Sequence, residues 1–176
     1  MKIELVRYND NWKKDFIEEM KHLMTLMSVE IKAIEHVGST AIPIQLSKPV
    51  IDIFVGVDPF RAKKYYSDIL DSNLYKYTIT GMKDRHLFQK YTAGTWTHNI
   101  HLIKYSNEFQ QRNEILFRDF IKDKADLLQE YAFLKKKLNE ETADLELYTK
   151  GKTAFIQKVV DRARIEKGLP LVSVWE

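Results

Sequence analysis

Residues 36–57 read HVGSTAIPIQLSKPVIDIFVGV. They set two β-rich runs, residues 34–37 and 50–57, on either side of a loop that holds Gly38, Ser39, Thr40, Pro43 and Pro49. Valine and isoleucine suit a pleated strand, and glycine and proline punctuate it, so the stretch predicts strand, loop, strand. A glycine-serine pair ending a strand offers backbone N–H groups and a hydroxyl to a phosphate, because glycine lets the chain turn and approach closely. The pair alone is equally the mark of an ordinary turn. No G-x-x-x-x-G-K-[ST] string accompanies it.

The second strand raises a question of charge. Asp52 stands inside Val50-Ile51-Asp52-Ile53-Phe54-Val55, where an ionised carboxylate is costly to bury without compensation. Two solutions are open at this point. A divalent cation would bridge the carboxylate to nucleotide phosphates through oxygen ligands, or an Arg or Lys side chain would pair with it.

Outward from this unit, residues 3–8 read as a short strand. Asn9 or Asp10 then caps a helix whose apolar residues Trp12, Phe16, Met20, Leu23, Met24 and Met27 keep helical spacing and form a core stripe. Asp58-Pro59 supplies a cap and a first-turn proline for a helix running to about Asp71. Strands are expected over residues 74–80, 86–91 and 96–104, the last two joined by a hairpin turn at Thr92-Ala93-Gly94-Thr95. From Ser106 the pattern turns helical, over residues 109–120, 124–140 and 152–167, ending before Gly168-Leu169-Pro170. Lys135-Lys136-Lys137 reads as the solvated face of its helix.

At 176 residues the chain has the length of one domain. The expected class is α+β, with an α+β core over residues 1–105 and a helical annex over 106–176. Cysteine is absent, which excludes disulfides and thiolate zinc sites and suits a reducing cytosol. The first residues carry no apolar targeting region, and no eighteen apolar residues run together, so a soluble cytoplasmic protein is expected. The net charge of +3 mixes basic with acidic residues, which points away from nucleic acid as a partner.

His36-Val37-Gly38-Ser39-Thr40-Ala41-Ile42-Pro43 with Lys48-Pro49-Val50-Ile51-Asp52-Ile53 resembles the signature of the GrpB family, which is similar to the nucleotidyltransferase superfamily. The likeness continues through His98-x-x-His101-Leu102, Phe117-Arg118-Asp119, Tyr131-x-x-Leu134-Lys135 and Tyr148-x-x-x-Lys152-x-x-Phe155, so it covers nearly the whole chain. Ile44 departs from it, since the family more usually has glycine after the proline. The resemblance implies a nucleotidyltransferase-like mixed β-sheet with flanking helices and a C-terminal helical annex.

It also implies a reaction: Gly38 and Ser39 hold the phosphates of a nucleotide, and strand carboxylates bind Mg²⁺ ions that support attack on the α-phosphorus. In the superfamily two acids stand two apart on one strand and share a face. Here that pair is Val50 and Asp52, and the first acid is missing. Asp52 and His101 remain as the catalytic candidates, and Asp52, His101 and His36 as metal ligands. So much imidazole favours Mn²⁺ or Zn²⁺ over Mg²⁺. The phosphate candidates are Gly38, Ser39, Thr40, Lys48 and Lys152, with His98, Arg85 and Arg118 as additional contacts. Arg118-Asp119 reads equally as an internal ion pair.

Two functions compete on these residues. One is a metal-dependent nucleotidyltransferase acting on a nucleotide and an acceptor. The other is a non-catalytic nucleotide-binding, phosphate-binding or scaffold module, linked to coenzyme A metabolism by the fusion of family members to dephospho-coenzyme A kinase in some bacteria. An RNA-binding reading through Trp96, Tyr91 and Phe88 ranks below both, because alternating aromatics on a hairpin are more often core. The expected partner is therefore a nucleotide or other phosphorylated small molecule.

Overall fold

The computed structural model describes residues 4–43 and 45–174. The chain divides into two compact units: one comprises residues 9–37 and 50–109, the other the segment up to Tyr8, residues 38–49 and residues 110–176. Ile44, the departure noted in the loop, lies outside the described residues.

The first unit is a five-stranded mixed sheet in the order β1-β2-β5-β4-β3, with β1 at Ile31–Val37, β2 at Ile51–Val57, β3 at Tyr75–Thr78, β4 at Arg85–Thr92 and β5 at Thr95–Lys104. β1 and β2 pair antiparallel, so the loop between them returns the chain beside itself. β2 and β5 pair parallel, which needs a crossover, supplied by α2 (Lys63–Ile69) and the β3-β4 pair. The expected hairpin joins β4 to β5. Ala93 and Gly94 both have positive φ, 49° and 79°, the primed geometry whose twist matches that of the strands.

Alternation divides the side chains of β2 between two faces. Ile53 lies opposite His36, and Asp52 opposite Val37. The face of Ile53 is covered by α1 (Asn11–Met27), whose Phe16 ring stacks on His36 at 5.0 Å. Trp12, Leu23 and Met27 of α1 are buried, as the stripe predicts, but Met24 is 44 % exposed. The buried row instead includes Glu19, 2 % exposed, which accepts from Tyr75 Oη at 2.6 Å and pairs with Lys90. The α1 cap is Asn9, whose Oδ1 accepts from Asn11 N at 3.0 Å, while Asp10 makes no side-chain cap bond.

The helix expected from Asp58 begins five residues later, at Lys63. Asp58 N donates to Glu30 O at 2.9 Å, which carries the strand pairing through Asp58, and the backbone is still extended at Ala62, with ψ 150°, directly before the helix.

The second unit is helical: α3 (Asn113–Ile121), α4 (Ala125–Glu141), α5 (Leu145–Gly151) and α6 (Thr153–Glu166). Its core joins Leu116, Phe117, Phe120, Leu127, Tyr131, Phe155, Val159 and Val160 to Ile42 of the 38–49 loop. An apolar anchor among helices explains why the loop belongs to this unit. The strand expected over residues 3–8 reduces to one bridge between Val6 and Ser47, with reciprocal bonds of 2.9 Å; Ile3 lies outside the described residues. The helix expected from Phe109 starts at Asn113, because Arg112 has an extended ψ of 141° and separates it from a 3-10 turn at Phe109–Gln111. α5 is capped by Asp144, whose carboxylate accepts from Glu146 N and Leu147 N at 2.8 and 3.0 Å.

Candidate functional site

In the helical unit, Gly38 has φ 74° and ψ −175°, a conformation nearly confined to glycine. The turn that follows, Ser39–Ala41, is 3-10. Thr40 is buried, Ser39 and Lys48 half-buried. Ser39 Oγ stands 3.4 Å from Tyr131 Oη of α4. The Tyr131 ring stacks on Phe155 at 5.1 Å and meets Phe117 edge-on at 5.2 Å, so its hydroxyl is aimed by packing on two sides.

The same ring carries the amine of Lys135, 4.3 Å from its centroid. Lys135 is 1 % exposed and donates to Leu46 O, which corrects the reading of Lys135-Lys136-Lys137 as a uniformly solvated face: Lys136 and Lys137 are exposed, whereas Lys135 lies four residues past Tyr131 on the core-facing row. Burial, and then the charge of Lys152, push its amine down to about 7. Lys152, at the α5–α6 junction, holds its Nζ 4.5 Å from the Tyr148 ring centroid. Gly151 brings that junction close to α4, since a Cβ there would meet Leu138 Cδ2 at 2.5 Å. Ser39, Tyr131, Lys135 and Lys152 thus form one cluster of hydroxyls and amines. Elsewhere in this unit, Arg118 forms a two-pronged pair with Asp119, at 2.9 and 3.2 Å. Burial opposes the Asp119 charge, but Arg118 and Lys122 hold its carboxyl below the usual carboxylate range.

In the sheet unit, Asp52 stands beside Asn99 on the β2–β5 ladder. Its Oδ1 accepts from Asn99 Nδ2 at 2.7 Å, directly across the parallel β2–β5 ladder, and Asn99 Oδ1 accepts from Trp96 Nε1 at 3.1 Å. His101 stands two residues further along the same face, opposite Phe54. Burial, and then Arg85, push its imidazole down to about 3, and its buried Nδ1 has no hydrogen-bond partner. Arg85 lies over the Phe54 ring, 4.8 Å from the centroid.

His36 and His98 point the other way. His36 stacks on Phe16, and His98, lowered by burial, is held at Nδ1 by Thr97 Oγ1 at 2.9 Å beneath α1. The grouping of His36 with Asp52 and His101 is therefore not formed, because neighbours along a strand alternate faces. Among the described residues no three His, Asp or Glu side chains are grouped to hold a metal ion. One carboxylate bonded to an amide, with one imidazole two residues along the neighbouring strand, does not fit a resident divalent cation.

The GrpB protein family profile matches residues 2–162. The UPF0157 protein YqkA of Bacillus subtilis is 33% identical over 165 residues, which is 93% of this chain and 48% of that protein, so the chain spans about half the length of that relative. The glutamate-rich protein GrpB of Alkalihalophilus pseudofirmus is 31% identical over 163 residues, 89% of this chain and 93% of the relative. The crystal structure of the conserved protein GrpB from Enterococcus faecalis matches with a TM-score of 0.83 at 24% identity, covering 94% of this chain and 99% of that one. The fold is accordingly α+β and is shared with that GrpB protein.

Proposed function

The chain belongs to the GrpB family, and we propose on that premise that it binds a phosphate-bearing small molecule, with a nucleotide as the first class to try. The observation that carries this reading is the pairing of the Ser39 hydroxyl with Tyr131 Oη, 3.4 Å apart, in the same unit as the amine of Lys152. Hydroxyls and ammonium groups are donors, and phosphate oxygens accept several charge-assisted hydrogen bonds at once. The glycine geometry at residue 38 supports it by letting Ser39 sit at the head of a tight turn.

Metal-dependent nucleotidyl transfer is the finer alternative. It asks for a set of oxygen ligands around a divalent ion, and Val50 stands where a second strand carboxylate is wanted. Binding without transfer asks for none of this, and a fold alone does not specify a reaction.

The test is thermal stabilisation of the full chain by inorganic phosphate, pyrophosphate and the four ribonucleoside triphosphates, compared with Ser39→Ala and Lys152→Ala. A ligand bound only to the native state raises the melting temperature by mass action. Stabilisation that both substitutions weaken supports the reading, and no shift with any of these ligands overturns it. Pyrophosphate release from a nucleoside triphosphate, abolished in Asp52→Ala, would favour the transferase instead.

A further inference from the structure

Lys135 is anomalous on electrostatic grounds. It is as buried as the aliphatic core, yet the groups around its amine are a neutral carbonyl, an aromatic ring and a second amine: Leu46 O from the 38–49 loop, Tyr131 from its own helix, and Lys152 from the α5–α6 junction. Tyr148 of α5 stands under Lys152, and burial keeps its phenol protonated well above the neutral range. No carboxylate among the described residues compensates the amine. Buried cations are ordinarily paired, so this one is either discharged or supplied with an anion from outside. The loop on either side of Leu46 adds two buried polar atoms with no protein partner, Gln45 Oε1 and Ser47 Oγ.

We propose that Lys135 is a further ligand-contacting residue of the phosphate site, forming with Lys152 a two-ammonium seat for a phosphoryl dianion, so that binding the dianion and protonating Lys135 occur together. This rests on the phosphate reading above and adds to it a residue and a proton. Before binding, the amine loses its proton as pH rises through about 7 and is largely neutral at pH 8 and above. The arriving dianion brings the missing countercharge, and the amine takes one proton from solvent as the complex forms. Any ammonium attracts a dianion about twice as strongly as a monoanion, and a second one enlarges that difference in energy, which selects terminal phosphoryl groups over diesters.

The Kd of the full chain for inorganic phosphate, measured at about pH 8 and about pH 9 where this probe is a dianion throughout, reads the coupling directly. One proton taken up per phosphate weakens binding about tenfold per pH unit, and calorimetry in two buffers of different ionisation enthalpy counts that proton in the wild-type chain without any substitution. Lys135→Met, which keeps the buried stem, is expected to bind more weakly at the lower pH, with the same Kd at both. Equal wild-type affinity at both pH values with no proton uptake, or a Lys135→Met chain that binds as wild type does, overturns the role of Lys135 and leaves the phosphate site standing. Absence of phosphate binding by the wild type at either pH overturns both.

Discussion

Replacing Lys135 by methionine is expected to stabilise the unliganded protein at neutral pH. The native amine is held at about 7, against 10.5 for an ordinary lysine, a difference worth about 5 kcal/mol. The sign follows from proton counts. Between pH 7 and 10.5 the unfolded chain carries the lysine proton and the native protein does not, so native stability rises with pH in that window by about 1.4 kcal/mol per unit. At pH 7 nearly the whole cost of discharging the amine opposes folding, and methionine removes it while filling a similar volume. Against that, the carbonyl of Leu46 loses its donor, at about 1–3 kcal/mol. The net expectation at pH 7 is a gain of about 2–4 kcal/mol. The assay is urea unfolding of wild type and Lys135→Met from pH 7 to pH 10 in phosphate-free buffer, plotted as the difference between the two, which cancels every other titrating group. The gap should close as pH rises. A Lys135→Met chain that is less stable at pH 7, or a difference that does not move with pH, refutes the reasoning.

Gly38→Ala places a β-carbon on a backbone at φ 74° and ψ −175° and should cost about 1–3 kcal/mol in unfolding free energy; a neutral result in denaturant melts would mean that the loop relaxes freely. Glu19→Gln leaves Lys90 unpaired beneath α1 and should destabilise by about 3–5 kcal/mol, read as a drop in melting temperature that Lys90→Met restores in the double variant. Arg164 donates to Gln111 O at 3.1 Å, Asn113 Oδ1 at 2.9 Å and Pro170 O at 2.6 Å, so Arg164→Ala should free residues 169–174 and speed amide exchange there; unchanged exchange would show that Gln157, which bonds Val172 and Val174, suffices alone.

Where the pattern was repetitive, sequence was informative. The run Ile51 to Val57 has one charge among apolar residues and is a central strand, and Ala93-Gly94 between two alternating runs is a hairpin turn. Lys135 was also legible in principle: it follows Leu127 by eight and Tyr131 by four, which is the spacing of one helical row. Its two lysine neighbours concealed it, because a run of charge suggests solvent before spacing is counted. α5 had no such signal. Its seven residues, Leu145–Gly151, include Leu145 and Leu147, which are exposed, and its start rests on one Asp144 cap.

Sequence by itself determined the order of β1 to β5 and of every helix but α5, the strand-loop-strand unit at residues 36–57, and membership of the GrpB family, because these depend on local periodicity, punctuation and motif. It also placed His98 and His101 on opposite faces of β5, through alternation alone. Tertiary structure decided which residues meet. Asp52 meets the Asn99 amide because β2 and β5 pair in parallel with those two residues in register. Ser39 meets Tyr131, 92 positions away, because Ile42 anchors the loop in the helical core. Lys135 is buried because that loop lies over α4 and offers it the carbonyl of Leu46. Each is a long-range contact made by packing, and no spacing within one element specifies it.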